Sequence, residues 1–374
     1  MRKIAFLSTS LLASVVSIPV AHAVDVKMYG QVNKAVVGFD DGQNTDVVFT
    51  DNDLSSTRFG LKGEQKLDNG LTASVLLEME MQSNPSNAFT QNTASETGAN
   101  ASTPLSTNAA GSTTGDVGLT ERHASVGLSG GFGGVVLGQT AAATDGVITQ
   151  DLTGAQDVMN SDYHKMGGGI NLRSTDGSLS GITINSMTFN GGTKRLDAVR
   201  YDSPVFNGLQ GKFSMAQGGD VDAAALYTGK LGTFKFKGAA GIEFNNDTTF
   251  AAANAVETRY IASASILHDS GIGATAAYTT DDVRNGGGED PEQWYTKVGY
   301  AWDKYEVAAD YGVSNHYGNT VVADSELTAM GVAAQYNLGN GVSLAGLYRN
   351  FDADRTGTSL QGVDLFAANM RVKF

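Results

Sequence analysis

The sequence predicts an all-β chain, an antiparallel transmembrane β-barrel of sixteen strands. Three observations carry that prediction. Apolar and polar residues alternate with period two over long stretches, and the connections between those stretches alternate between short and long. After residue 23 no apolar run approaches the length of a helical span.

The amino terminus sets the compartment. Arg2 and Lys3 precede a mostly apolar stretch from Ile4 to Val20, and Ala21-His22-Ala23 supplies the small-x-small pattern of a cleavage site. Ser8, Thr9, Ser10, Ser14 and Ser17 weaken the run and Pro19 ends it, which favours a signal peptide over a membrane helix. Residues 1–23 are therefore expected to be removed after Ala23. Residues 24–374 form one domain, because no Pro-rich linker or shift of composition divides them. The chain has no cysteine, although an oxidising compartment would permit disulfides. A closed ring of strands, with every backbone group paired to a neighbour, is the expected source of stability. The net charge of −14 argues against a nucleic-acid partner, whose phosphates an acidic surface repels.

The alternation runs through named segments. Phe366, Ala368, Met370, Val372 and Phe374 share one face, opposite Asn369, Arg371 and Lys373. Tyr305, Val307, Ala309, Tyr311 and Val313 alternate with Glu306, Ala308, Asp310 and Gly312. Trp294, Thr296, Val298, Tyr300 and Trp302 stand opposite Tyr295, Lys297 and Gly299. Each segment reads as a strand with an apolar side and a polar side. Its aromatic residues lie toward the ends, where membrane-interface girdles form.

Short turns are expected at Asp68-Asn69-Gly70, Gly130 to Gly134, Asn207-Gly208, Lys230-Leu231-Gly232, Ser270-Gly271, Asp303-Lys304 and Gly339-Asn340-Gly341. Their Gly, Asn and Asp residues tolerate the positive φ of tight hairpins. Longer polar connections are expected near 40–53, 83–117, 141–193, 218–221, 245–256, 282–291, 315–324 and 352–361. Seven turns and eight loops join sixteen strands, with both chain ends on the short-turn side. The 141–193 stretch has room for a further hairpin, with Gly181 to Asn190 as one arm. Asn87 to Gly115 is a low-complexity Ser/Thr/Asn/Ala tract that reads as a surface loop.

Several segments resemble the Gram-negative general (trimeric) porin family. Ser56-Thr57-Arg58-Phe59-Gly60-Leu61-Lys62-Gly63-Glu64, followed by Leu67-Asp68-Asn69-Gly70-Leu71, is similar to that family's second strand and first periplasmic turn. Arg122 to Gly133 resembles the fourth strand and its turn, and Val199-Arg200-Tyr201-Asp202-Ser203-Pro204 with Gly208 resembles the sixth. Tyr29-Gly30 opens the first strand in the family's manner, and the closing Arg371-Val372-Lys373-Phe374 is similar to its assembly signal. The likeness spans the mature chain in order, while the 83–117 and 141–193 stretches depart from the family's commonest loop lengths.

The resemblance implies a passive channel for ions and small hydrophilic solutes across the bacterial outer membrane. It implies a homotrimer in outer-membrane lipid, with Phe374 read by the barrel-assembly machinery. A long third loop, within about 141–193, would fold into the lumen and present carboxylates across from basic residues on the wall. The wall candidates are Arg58, Arg122 and Arg195, with Lys62, Lys194 and Arg200 beside them; the loop candidates are Asp145, Asp151, Asp157 and Asp162. Opposed charges across a narrow passage orient passing dipoles. Arg58 shares parity with Lys62 and Glu64, opposite Phe59 and Leu61, and so faces the lumen. Arg122 shares parity with Val126 and Leu128, so its assignment rests on the resemblance.

Other motifs point elsewhere with less force. His123, His164, His268 and His316 lack metal-ligand spacing, and no Ser-His-Asp set stands out for an outer-membrane hydrolase. Gly271-x-Gly273-x-x-Ala276 precedes a strand-like segment, and so reads as a hairpin instead of a dinucleotide loop. No cofactor is expected. Asp40-Asp41-Gly42 and Asp51-Asn52-Asp53 could gather oxygens around calcium, although solvated acidic turns are the plainer reading. Two rival functions share the fold: a solute-specific channel with Tyr163 in a binding track, and an adhesin using the 83–117 loop.

Overall fold

A computed structural model describes residues 24–91, 119–189, 191, 194–246, 256–283, 289–317 and 324–374. The expected signal segment 1–23 and most of the low-complexity tract lie outside the described residues. Sixteen antiparallel barrel strands follow in chain order. They are β1 (Asp25–Asp40), β2 in two segments (Thr45–Asp51 and Arg58–Lys66), β3 (Thr72–Met81), β4 (Leu119–Gly130), β5 (Gly133–Ala141) and β6 (Arg195–Asp202). Next come β7 (Leu209–Ala216), β8 (Val221–Leu231), β9 (Phe234–Phe244), β10 (Val256–His268) and β11 (Ile272–Val283). The ring ends with β12 (Glu292–Trp302), β13 (Tyr305–Asn315), β14 (Ser325–Gly339), β15 (Val342–Arg355) and β16 (Val363–Lys373). Each strand pairs with its sequence neighbours, and β16 closes the ring on β1 from Gln31↔Lys373 to Asp40↔Asp364.

Closure is finished by the last residue. The Phe374 amide donates to the Gly30 carbonyl at 3.0 Å and its carbonyl accepts from the Gly30 amide at 3.0 Å. The Phe374 ring lies where a side chain at Gly30 would stand, since a Cβ there would come within 2.5 Å of the ring. A glycine is what lets the terminal aromatic cover the seam.

The outer face follows the alternation. Phe366, Met370, Tyr305, Tyr311, Trp294, Val298 and Trp302 are exposed, while Asn369, Asp310, Tyr295 and Lys297 on the alternate parity are buried. Trp302 stacks on Tyr305 at 5.7 Å, and Tyr305 on Tyr336 at 5.0 Å, forming part of an aromatic belt at the short-turn rim.

Three expectations are corrected. The first long connection is shorter than 40–53, because Thr45–Asp51 pairs with β1 and leaves a turn at 41–44. The break in β2 comes after it, at 52–57, where Asp53–Ser55 forms a 3-10 turn. Gln31 on β1 donates to the Ser55 and Ser56 carbonyls there, so the backbone leaves the ladder without losing its partners. The hidden hairpin pairs Asn171–Arg173 with Leu179–Thr183, so the expected arm from Gly181 ends at Thr183, and Asn190 lies outside the described residues. Thr183 caps a 3-10 turn at Ile184–Met187, its hydroxyl accepting from the Ser186 amide while the Ser186 hydroxyl accepts from Thr183.

The third correction concerns the inner face, read from the sequence as the polar side of each strand. Toward the long-loop end of β14, β15, β16 and β1 it is apolar. Leu327, Ala329, Phe351, Ala353, Val363, Leu365, Val37 and Phe39 are buried there with Met166, Ile170, Leu172, Ile182, Ile184, Met187 and Phe189 of the 142–189 segment. Phe89 joins the cluster, its ring 5.6 Å from Phe39. Water does not reach this part of the wall, so apolar residues serve on both faces.

Candidate functional site

The 142–189 segment supplies one side of the site. It follows the inner wall strand by strand, bonding a polar side chain on nearly every one. The Ala143 amide donates to Ser214 on β7 at 2.8 Å, and Thr144 donates to Glu243 on β9 at 2.7 Å. On β10, Ser263 and Ser265 accept from the amides of Gln150 at 3.2 Å and Leu152 at 2.9 Å. Glu306 on β13 accepts from the Ala155 amide at 2.7 Å, and Gln335 on β14 from the Asp157 amide at 3.2 Å. Tyr163, fully buried, lies 2.5 Å from Ser314 of β13 through its hydroxyl, and its carbonyl accepts from Arg349 on β15 at 3.1 Å. Arg349 is itself ion-paired with Asp310.

Two of the four loop acids belong to this attachment. Asp151 is bound by Lys297 of β12 at 2.9 Å and by Thr275 of β11 at 2.6 Å. Asp157 is bound by Arg371 and Ser343, and both acids are buried. The other two stand elsewhere: Asp145 faces Arg195 at 3.8 Å, and Asp162 holds Lys165 at 2.9 Å. The four acids are thus two anchors on the far wall and two groups beside basic side chains.

The opposite side is the inner face of β2 to β6. Arg58 is half-buried and lies 3.5 Å from Glu78 on β3. Arg122 reaches Glu78 at 2.6 Å, donates to Ser56 at 3.1 Å and is ion-paired with Glu80. Tyr29 donates to Glu78 at 2.8 Å, and Arg195 donates to His123 at 3.3 Å. Arg58, Arg122 and Arg195 therefore form one row across β2, β4 and β6, interleaved with Glu78 and Glu80.

Arg122 reaches that row through a β-bulge. Glu78 faces His123 while Met79 faces Glu121, so Arg122 is an extra residue in β4. An inserted residue shifts the phase of the strand by one. Val126 and Leu128 point outward below the bulge, and Arg122 is turned to the polar side despite equal parity. Simple alternation placed it wrongly for that reason.

Lys62 and Arg200 lie apart from the row. They share a hollow of about 590 Å³ with Lys27, Glu64, Ser125 and Thr140. The Lys62 ammonium sits over the Tyr29 ring at 5.2 Å, and Arg200 forks onto Asp202 at 3.0 Å. Lys194 lies 3.5 Å from Asp222 and 3.7 Å from Glu243.

Sequence reasoning passed over Glu78, Glu80, Lys165, Lys297, Arg349 and Arg371 as site residues. Parity alone marked Lys297 and Arg371 as inward, but nothing in the sequence says which loop acid each meets. In the acidic outer turns the carboxylates are engaged by the chain: Asp40 by the Gly42 amide, Asp41 by Arg173, Asp51 by Lys34 and the Ser83 amide, and Asp53 by Gln82.

The stem of the low-complexity loop is also built into this assembly. The Ser86 hydroxyl donates to the Lys165 carbonyl at 2.5 Å, Asn185 donates to the Asn87 carbonyl at 2.6 Å, and Gln91 donates to the Asn171 carbonyl at 2.6 Å.

Known proteins share this architecture. An anion-selective porin from Comamonas acidovorans superposes with a TM-score of 0.62 at 16% identity, over 94% of this chain and 99% of that one. The outer membrane channel DcaP of Acinetobacter baumannii gives 0.58 at 14% identity, over 94% and 97%. The trimer form of OmpT, an outer membrane protein of Vibrio cholerae, gives 0.57 at 13%, over 94% and 99%. No curated protein sequence matches the chain. Sequence identities this low speak for the fold, but a model of the Gram-negative porin family matches residues 8–356. With that match over most of its length and a closed sixteen-stranded barrel, the chain belongs to the Gram-negative porins and is a diffusion channel of the outer membrane.

Proposed function

We propose that solutes pass between the Arg58–Arg122–Arg195 row and the edge of the 142–189 segment near Asp145 and Lys165. That passage is the channel's narrowest point. The observation that carries the reading is the ordered attachment of residues 143–157 from β7 to β16, which leaves the inner face of β2 to β6 to line the water path. Ions and small hydrophilic solutes are the cargo, discriminated by size and by the charges on either side. Such charges lie within a Debye length of about 8 Å at physiological salt, so screening is incomplete. Planar-bilayer reversal potential under a salt gradient tests this. Arg58→Gln should move it toward cation preference, because a barrier to positive ions is removed. A reversal potential equal to the wild type's would exclude Arg58 from the narrow point.

The mature chain, cleaved after Ala23 and assembled through Phe374 by the barrel-assembly machinery, works as a homotrimer in outer-membrane lipid. Support for the trimer comes from Lys34, which stands between Val32 and Val36 on the outer face and is ion-paired with buried Asp51. It lines an outer hollow of about 600 Å³ with Val36, Phe49, Leu344 and Met370. A lysine facing lipid costs roughly 2–4 kcal/mol at the bilayer midplane, a cost removed if a second copy covers it. Val36→Arg should convert a detergent-resistant oligomer into folded monomer, whereas Val298→Arg on β12 should not. Equal oligomer in both variants would refute this face as the contact.

A further inference from the structure

We propose that His316 is a proton-controlled clamp joining two loops at the long-loop rim of the channel. It stands at the start of the β13–β14 loop. Its Nε2 lies 3.0 Å from Oε2 of Glu289, in the β11–β12 loop, and its Nδ1 lies 3.0 Å from Oδ1 of Asp324, at the far end of its own loop. A neutral imidazole carries one N–H and one lone pair. At this separation a lone pair facing a carboxylate oxygen repels it, so only the imidazolium can donate to both partners. The carboxylates meet opposite edges of the ring and do not converge on one point, which distinguishes the arrangement from a metal site.

The hollow around the ring is acidic. Asp324, Glu326 and Asp354 line the hollow around His316 with Arg355 as the one basic side chain among its lining residues, and Glu292 is tied in by a hydrogen bond from the neighbouring Asn315. The backbone is held for the purpose as well. His316 has φ 61°, a left-handed conformation that non-glycine residues seldom adopt, and its amide donates to the Ser325 carbonyl at 2.7 Å. Asp324 is fixed to the next loop, its carbonyl accepting from the Thr356 amide at 2.9 Å. Among the described residues, the His316 ring thus links Glu289 to a part of the rim held by backbone hydrogen bonds. Tyr317, the next residue, packs against the interior apolar cluster, and its carbonyl accepts from the Ser325 hydroxyl at 2.6 Å.

The sign follows from the donors. Protonated His316 holds both carboxylates, and neutral His316 must release one, so the clamp closes in acid and opens in base. Imidazole changes charge between about pH 5 and 8, within the range an outer surface meets. Both carboxylates are largely exposed, so solvent weakens each contact and keeps the clamp reversible.

The test is a distance measurement on the full-length protein in lipid, with spin labels at Asp290→Cys and Thr356→Cys. Pulsed dipolar spectroscopy should give a narrow distribution near about pH 5.5 and a broad one near about pH 8. His316→Gln should be broad at both, and Glu289→Gln should lose the acid narrowing. Heat-modifiable migration of each variant would establish that the barrel itself is folded. Identical distributions at the two pH values, or a pH response that survives His316→Gln, would overturn the proposal. Narrowing near pH 8 on adding zinc would assign the group to a metal and overturn it equally.

Discussion

Removing the cation of one buried tether should loosen the inner loop without unfolding the barrel. Lys297 is buried on β12, and its ammonium donates to Asp151 and to the Met159 carbonyl, each at 2.9 Å. Lys297→Met keeps the approximate volume and leaves the Asp151 carboxylate buried with hydroxyl and amide donors only. Breaking one partner out of a buried pair costs about 3–5 kcal/mol. Each 1.4 kcal/mol is a factor of ten, so the population with this part of the loop off the wall should rise roughly 100- to several thousand-fold. The strand ladders on either side are untouched, so the cost falls on the loop. Single-channel recordings should show higher open-channel noise and conductance, and liposome swelling should admit larger sugars. Reversal potential should move little, because neither charge faces the water path. A second substitution, Asp151→Asn, removes the orphan charge while leaving an oxygen for Thr153 and Thr275, and should restore quiet conductance. Wild-type noise and swelling in Lys297→Met would refute the tether. So would a double variant as disturbed as the single one.

Three further outcomes are expected. Gly30→Ala should lower the yield of heat-modifiable barrel, because the new methyl would stand 2.5 Å from the Phe374 ring and 2.8 Å from the Arg58 carbonyl oxygen. Phe374→Ser should lower assembled protein in outer-membrane fractions more sharply, since it removes the ring as well as the seam packing; normal yield would count against its role as a signal. Phe351→Ala should destabilise the packing of 166–189 on the wall by about 3–5 kcal/mol, seen as faster amide exchange in that segment with the β-ladders protected.

The role of Asp151 illustrates how tertiary structure redirects a functional reading. As an acid in the family's loop it was expected beside Asp145 and Asp162 as a charge lining the passage. Its burial against Lys297 makes charge neutralisation there a question of loop position before selectivity. Deleting the low-complexity loop separates functions only if its stem is spared, because Ser86, Asn87 and Gln91 bond the inner segment.

What the sequence by itself determined is whatever depends on local alternation and turn chemistry. A period of two assigns each strand residue to one of two faces, so Phe366, Met370, Trp294 and Tyr311 could be placed outward and Arg58 inward. Gly and Asn at the hairpins marked the short turns, where a positive φ is needed, as at Gly70, Asn207 and Asn340. The count of sixteen strands followed from those two signals. Tertiary structure decided everything that depends on which distant groups meet. One inserted residue in β4 reversed the facing of Arg122, and a bulge leaves no period of its own to read. The inner apolar faces at Val37, Phe39, Phe351 and Leu365 were illegible because their partners, Phe89 and residues of the 142–189 segment, are distant in the chain and follow no repeating pattern. The division of Asp145, Asp151, Asp157 and Asp162 into two wall anchors and two groups beside Arg195 and Lys165 has the same cause. Their side chains are chemically alike, and only the wall residue each one reaches gives it a role.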